Sequence, residues 1–200
     1  MKVAILKYNA GNVFSVLHAL KRIGVEAVVT DDPATLRSAD RVIFPGVGEA
    51  STAMGYLREH SLDALIKSLT QPVLGICIGM QLLCRHSEEG DTDCLGIFDV
   101  PVCRFNHASA PEMKIPHMGW NSLDITPGAK LFKGIEKNPY VYFVHSYYLK
   151  AKRREDVAAT TWYSTTIDAS VESGNVFACQ FHPEKSGSTG LQILKNFTEL

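Results

Sequence analysis

Short runs of uninterrupted apolar residues recur through the first 77 positions, each followed by a segment with helical spacing. A strand that is apolar along its whole length has no polar face to give to water, so it must be covered on both sides. Residues 3–6, 27–29, 42–44 and 72–77 are such runs. Between the first two, Val13, Val16, Leu17, Leu20 and Ile23 share one face of a helix that Gly24 can end. Asp32-Pro33 reads as a helix start with proline at its first position. Ala50, Ala53, Met54 and Leu57 line a third helix, and Leu62, Leu65, Ile66 and Leu69 a fourth, with Ser61 as its N-cap. The last run leads into a helix expected over residues 79–84. Alternation of this kind predicts a parallel sheet with helices on both faces.

After about residue 90 the pattern changes. Residues 100–105, 120–125, 140–144, 157–162 and 176–181 read as strands joined by turns, and residues 189–200 as a closing helix. No repeat, low-complexity tract or interdomain linker interrupts the chain. The expectation is one α/β domain over residues 1–200, with a largely parallel central sheet and antiparallel additions in its second half.

Charge and cysteine usage narrow the possible partners. The formal charge is -1, so no broad field recruits nucleic acid or anionic membrane. The densest basic run, residues 150–154, is followed at once by Glu155 and Asp156 and reads as a solvated turn. The apolar run at residues 1–7 is too short for a signal peptide, and nothing approaches the length of a membrane helix. The five cysteines are odd in number and form no Cys-x-x-Cys pair, which argues against a disulfide framework or a zinc site. Reduced thiols in the cytoplasm, with no metal and no cofactor, are the expectation.

The chemistry concentrates at Leu74-Gly75-Ile76-Cys77-Ile78-Gly79-Met80-Gln81. A nucleophile flanked by glycine two positions before and after, between a strand and a helix, is a nucleophile elbow. The turn is strained, and side chains at the flanking positions would collide. The N-terminus of the new helix then faces the sulfur and favours thiolate. A buried packing cysteine is the bland alternative, which the two glycines at these offsets disfavour.

A thiolate nucleophile needs a base, normally histidine, oriented by a third group. Among seven histidines, His182 ends an apolar strand and precedes Pro183 and Glu184. Pro183 forces the chain out of the sheet, and Glu184 can swing back to hold the imidazole. His145 ranks second. His18 falls on the polar face of the first helix, and His60, His86 and His107 have turn-like surroundings.

The segments Gly75–Gln81 and Phe181-His182-Pro183-Glu184, roughly one hundred residues apart, resemble the class I glutamine amidotransferases. The resemblance covers essentially the whole chain. It implies that Cys77 attacks the side-chain amide of glutamine, with His182 and Glu184 completing a triad and a γ-glutamyl thioester as intermediate. It also implies oxyanion donors at Ile78 and in the Gly46-Val47-Gly48 loop, where small residues let backbone approach closely.

Within the family, Pro45–Gly48, Pro116-His117-Met118-Gly119-Trp120-Asn121, Tyr142–Tyr147 and Phe181–Gly187 resemble the glutaminases of imidazole glycerol phosphate synthases. That branch implies a (β/α)8-barrel cyclase as heterodimer partner, which receives the ammonia and works in histidine biosynthesis. It further implies that Gln81, Tyr142, His145, Ser146 and Tyr147 lie near glutamine or the path of ammonia. Asn12, His117, Met118, Trp120 and Asn121 are assigned to the partner interface. The alternatives are a glutaminase serving pyridoxal phosphate, anthranilate or guanylate synthesis, or a catalytically silent binding module of the same fold.

Overall fold

The computed structural model describes residues 1–9, 11–106 and 112–200, so Ala10 and His107 lie outside the described residues. Strands β1 (Val3–Leu6), β2 (Ala27–Thr30), β3 (Arg41–Phe44) and β4 (Val73–Ile76) are the four apolar runs. They alternate with helices α1 (Val13–Arg22), α2 (Pro33–Ser38), α3 (Ala50–Glu59) and α4 (Leu62–Ser68). All four strands belong to one parallel block. Their alternating residues fill two cores: Ala4, Leu6, Val42 and Phe44 pack on one face, Val3, Ile5, Ile43 and Leu74 on the other. In β1, β3 and β4 this two-sided burial is the physical reason that the runs carry no polar positions, whereas β2 departs from the expectation: it is the edge strand, and Val28 is 46% exposed.

The block continues into β14 (Val176–Cys179), β13 (Thr165–Ser173), β12 (Val157–Tyr163) and β9 (Asp124–Ile125), giving eight strands in the order β2-β1-β3-β4-β14-β13-β12-β9. β14 is the pivot. It pairs parallel with β4, Cys179 opposite Ile76, and antiparallel with β13, Ser170 opposite Cys179. Two smaller sheets flank this one. β5 (Cys84–Ser87), β6 (Thr92–Asp93), β7 (Phe98–Arg104) and β11 (Tyr147–Leu149) form one, and β8 (His117–Ser122) with β10 (Tyr140–His145) the other. The chain closes with α6 (Gly187–Thr198). No helix among the described residues is long and apolar enough to cross a membrane.

Several local expectations need correction. Asp32 caps α2 by accepting from the Thr35 N–H at 2.7 Å, but Ser61 takes a left-handed conformation (φ 56°) and makes no side-chain cap. The helix after Cys77, α5 (Ile78–Leu82), ends before Cys84. The carbonyls of Leu82, Leu83 and Cys84 instead accept from the N–H groups of Leu95, Ile97 and Gly96, which pulls the chain into the four-stranded sheet. Residues 120–125 split between β8 and β9, in different sheets. The longest strand, β13, has no apolar run to announce it. Its polar members Asp168 and Ser170 are buried yet satisfied: Asp168 accepts from the Ala151 N–H and Arg154, and Ser170 donates to the Ala178 carbonyl. Arg154 thus serves an ion pair of 2.8 Å with a buried carboxylate, where the sequence suggests only a solvated turn.

Candidate active site

Cys77 lies at the tip of β4, in a conformation (φ 53°, ψ -109°) that L residues seldom adopt. Such strain costs on the order of 1–3 kcal/mol and persists only where packing enforces it. The enforcement comes from both glycines. A Cβ on Gly79 would fall 2.0 Å from the Phe44 carbonyl oxygen, and one on Gly75 would fall 2.6 Å from Leu83 and 3.0 Å from the Gly79 backbone. Cys77 caps α5, so the Ile78 N–H opens the helix with no partner inside it.

His182, the base expected from the sequence, arrives on the neighbouring strand. The Cys77 N–H donates to the Cys179 carbonyl at 2.8 Å, extending the β4–β14 ladder by one step. Both chains then leave the sheet at the carboxyl ends of adjacent parallel strands, where open α/β sheets form their crevices. Pro183–Lys185 makes a single 3-10 turn, which returns Glu184 to His182: Nδ1 donates to Oε1 at 2.7 Å, and neither side chain is exposed. Asn12 donates to the same carboxylate oxygen. Burial pulls the basicity of His182 down, but the Cys77 thiol and the Glu184 carboxylate outweigh it and raise the imidazole from 6.5 to about 10. Its Nε2 is buried and makes no other hydrogen bond among the described residues, and Cys77 is the strongest influence raising the ring.

A cleft of about 320 Å³ opens over the sulfur. Val47, Gly48, Ile78 and Gln81 line it on one side, and Val144, His145, Ser146 and Tyr147 on the other. Gly46 lies behind this wall, where a Cβ would come within 2.2 Å of the Tyr8 hydroxyl and of Ile78. The Tyr8 hydroxyl donates to the Pro45 carbonyl at 2.5 Å and anchors the loop at its start, while Gly48 leaves it at φ 139°. Tyr142 is not in the lining; its ring meets Trp120 edge-on at 6.0 Å. A larger cleft of about 880 Å³ between residues 124–138 and the end of α6 holds none of these residues.

His145 and His117 form a buried pair. His145 Nδ1 donates to the Tyr147 carbonyl at 2.7 Å, so its Nε2 accepts from His117 Nδ1 at 2.9 Å. Burial lowers His145 to about 3 and His117 to about 4, and both are neutral at physiological pH. The structure therefore removes His117 from the exposed surface: its ring stacks on Tyr163 and Phe143. Asn121 joins this network through His117 and the Trp162 carbonyl. Asn12, read as a partner contact, has its amide on Glu184. Met118 and Trp120 are exposed, at 62% and 55%.

Two residues escape the sequence reading, one in the cleft lining and one beneath it against Cys77. Among the described residues Glu89 is the only carboxylate in the lining; its Oε2 accepts from the Ala50 N–H at 2.9 Å, and burial raises its carboxyl above the ordinary range. Nothing in the turn-like Glu88-Glu89-Gly90-Asp91 hints at this position. Gln180 is 1% exposed, and its Nε2 lies 3.7 Å from Cys77 Sγ. Its signal was available, as one amide side chain at the end of an otherwise apolar strand.

The glutamine amidotransferase class-I family matches residues 5–200. The chain is 57% identical to the imidazole glycerol phosphate synthase subunit HisH of Bacteroides fragilis and 56% identical to that of Bacteroides thetaiotaomicron, each comparison covering 100% of both chains. A solved glutamine amidotransferase shares the fold, with a TM-score of 0.75 at 21% identity over 98% of this chain and 97% of its own. Elbow, returning glutamate, full-length match and shared fold agree: the chain belongs to the class-I glutamine amidotransferases, in the branch of the imidazole glycerol phosphate synthase subunits.

Proposed function

We propose that this chain hydrolyses glutamine for an imidazole glycerol phosphate synthase, passing ammonia to a (β/α)8-barrel cyclase in the cytoplasm. The observation that carries the chemistry is the meeting of Cys77 with the buried His182–Glu184 pair at the ends of β4 and β14. Cys77 thiolate attacks the side-chain amide carbon of glutamine, and the C=O electron pair moves to oxygen. The N–H groups of Ile78 and of the Val47–Gly48 loop receive that oxyanion. His182, held by Glu184, protonates the departing nitrogen, and ammonia leaves a γ-glutamyl thioester. Water then loses a proton to His182 and attacks the thioester; the C–S bond breaks and glutamate departs.

The cleft suits the rest of the substrate. Glu89 offers a negative partner for the α-ammonium group, and Ser146 and Tyr147 border the space left for the α-carboxylate. Ammonia freed into water is mostly protonated and no longer nucleophilic, so a sealed route to a synthase serves the chemistry. In the cyclase the nitrogen ends in imidazole glycerol phosphate, beside an aminoimidazole carboxamide ribonucleotide. The test mixes the purified chain with the cyclase of imidazole glycerol phosphate synthase and with the synthases of the alternative pathways. Glutamate release should be coupled to product formation with that cyclase alone. Coupling to a different synthase would overturn the assignment.

A further inference from the structure

We propose that Gln180 is a further catalytic residue, an N–H donor to the Cys77 thiolate that Gln81 holds in the donating orientation. The proposal rests on the reading of Cys77 as the nucleophile. It begins from which atoms can donate. The Tyr147 carbonyl can only accept, so the Gln81 group 3.2 Å from it is the amide NH2. That same nitrogen lies 2.9 Å from Gln180, which must therefore present its oxygen to Gln81. The remaining end of Gln180, its NH2, then faces Cys77 Sγ at 3.7 Å. The amide orientation is set by a chain of donors ending at a backbone carbonyl.

The backbone holds the arrangement in place. Gln180 follows Cys179, and Cys77 follows Ile76, its partner across the β4–β14 ladder, so the two side chains leave the sheet side by side. The Gln180 N–H is committed to the Ala169 carbonyl at 2.9 Å, and the Gln81 N–H to the Cys77 carbonyl at 3.2 Å. Among the described residues the Val144 carbonyl oxygen lies 3.9 Å from the sulfur, an acceptor for the resting thiol but not a partner for a thiolate, and His182 is the other side chain that interacts with it. Beside His182, the buried Gln180 N–H therefore bonds the charged form of the sulfur more strongly than the neutral one, which is only a weak acceptor. It favours the thiolate before attack, and again when the C–S bond of the thioester breaks and its electron pair returns to sulfur.

The test is selective alkylation of Cys77 by iodoacetamide in the isolated, folded chain, followed by mass spectrometry of the Cys77 peptide. Gln180→Leu keeps the volume and removes the donor. At pH 7 Cys77 should be alkylated roughly tenfold more slowly than in wild type, as expected for losing one charge-assisted hydrogen bond. The deficit should close at strongly alkaline pH, where hydroxide removes the proton and the donor is no longer needed. His182, Tyr8 and Cys179 also feel charge on this sulfur, and all are retained in the variant. Gln81→Leu should move the rate the same way by less. Equal rates at pH 7, or a deficit that persists at every pH, would overturn the proposal. Should Gln180→Leu fail to fold, Gln180→Glu keeps the shape and places an acceptor against the sulfur; alkylation as fast as wild type would then count against it. No glutamine or partner enters this measurement, so its failure is distinct from failure of the glutaminase reading.

Discussion

The parallel block of the main sheet and the two-stranded β8–β10 sheet both border Cys77, yet they are built on opposite principles. β1, β3 and β4 are covered on both faces, and the cysteine at the tip of β4 is held by contacts with no room for a methyl group. β10 is covered on one face only: Val141, Phe143 and His145 point inward, while Tyr140 is 61% exposed and the facing strand shows Met118 and Trp120 to solvent. The first region fixes Cys77. The second lends Val144 and His145 to the cleft lining, on a two-stranded sheet.

The sharpest break between the regions comes from the nucleophile. Cys77→Ala should abolish glutamine hydrolysis while the complex still makes product from added ammonium salt. Loss of the ammonia-dependent reaction as well would mean that this chain does more than hydrolyse glutamine.

The next effect probes control. Glutamate release should be slow for the chain alone, faster with the cyclase, and fastest with cyclase and a nucleotide analogue. The Val47–Gly48 peptide is the proposed gate, since Tyr8 anchors the loop at Pro45 and Gly48 permits reorientation. Presenting or withdrawing one oxyanion donor accounts for about a hundredfold to a thousandfold. Three equal rates would leave the two-stranded sheet with no regulatory part.

Glu184→Gln should cost on the order of a hundredfold in kcat/KM, the low end of what a positioned proton-transfer group contributes. The pH dependence gives the sign. In the folded chain His182 rises from 6.5 to about 10, with Glu184 among the causes. A raised value stabilises the fold fully below 6.5, and that contribution fades as pH climbs towards 10. Wild type should therefore lose more stability than the variant across this window in urea unfolding, and the alkaline limb of kcat/KM should move to lower pH in Glu184→Gln. An unmoved limb would separate Glu184 from the imidazole.

The smallest effect on catalysis is expected far from both regions. Arg154→Leu leaves the buried Asp168 without its cation and should cost about 1–3 kcal/mol of stability with kcat unchanged. A fall in kcat at constant stability would show that the antiparallel edge communicates with the cleft.

The amino-acid sequence alone determined the parallel half and the two segments that meet at the candidate site, because the signals there are local. Uninterrupted apolar runs report two-sided burial, and the glycines beside Cys77 report steric exclusion over a few residues. His182, Pro183 and Glu184 are neighbours in the chain, so their return turn could be read as well. Only the tertiary structure decided the rest. β13 is long because buried Asp168 and Ser170 find partners from other segments, and its polar letters disguise it. Glu89 enters the cleft from a turn, His117 leaves the surface for a neutral pair with His145, and Asn12 reaches Glu184 across nearly the whole chain. Each depends on a partner supplied by another element, and a polar residue whose partner lies far along the chain carries no local sign of where it will be satisfied.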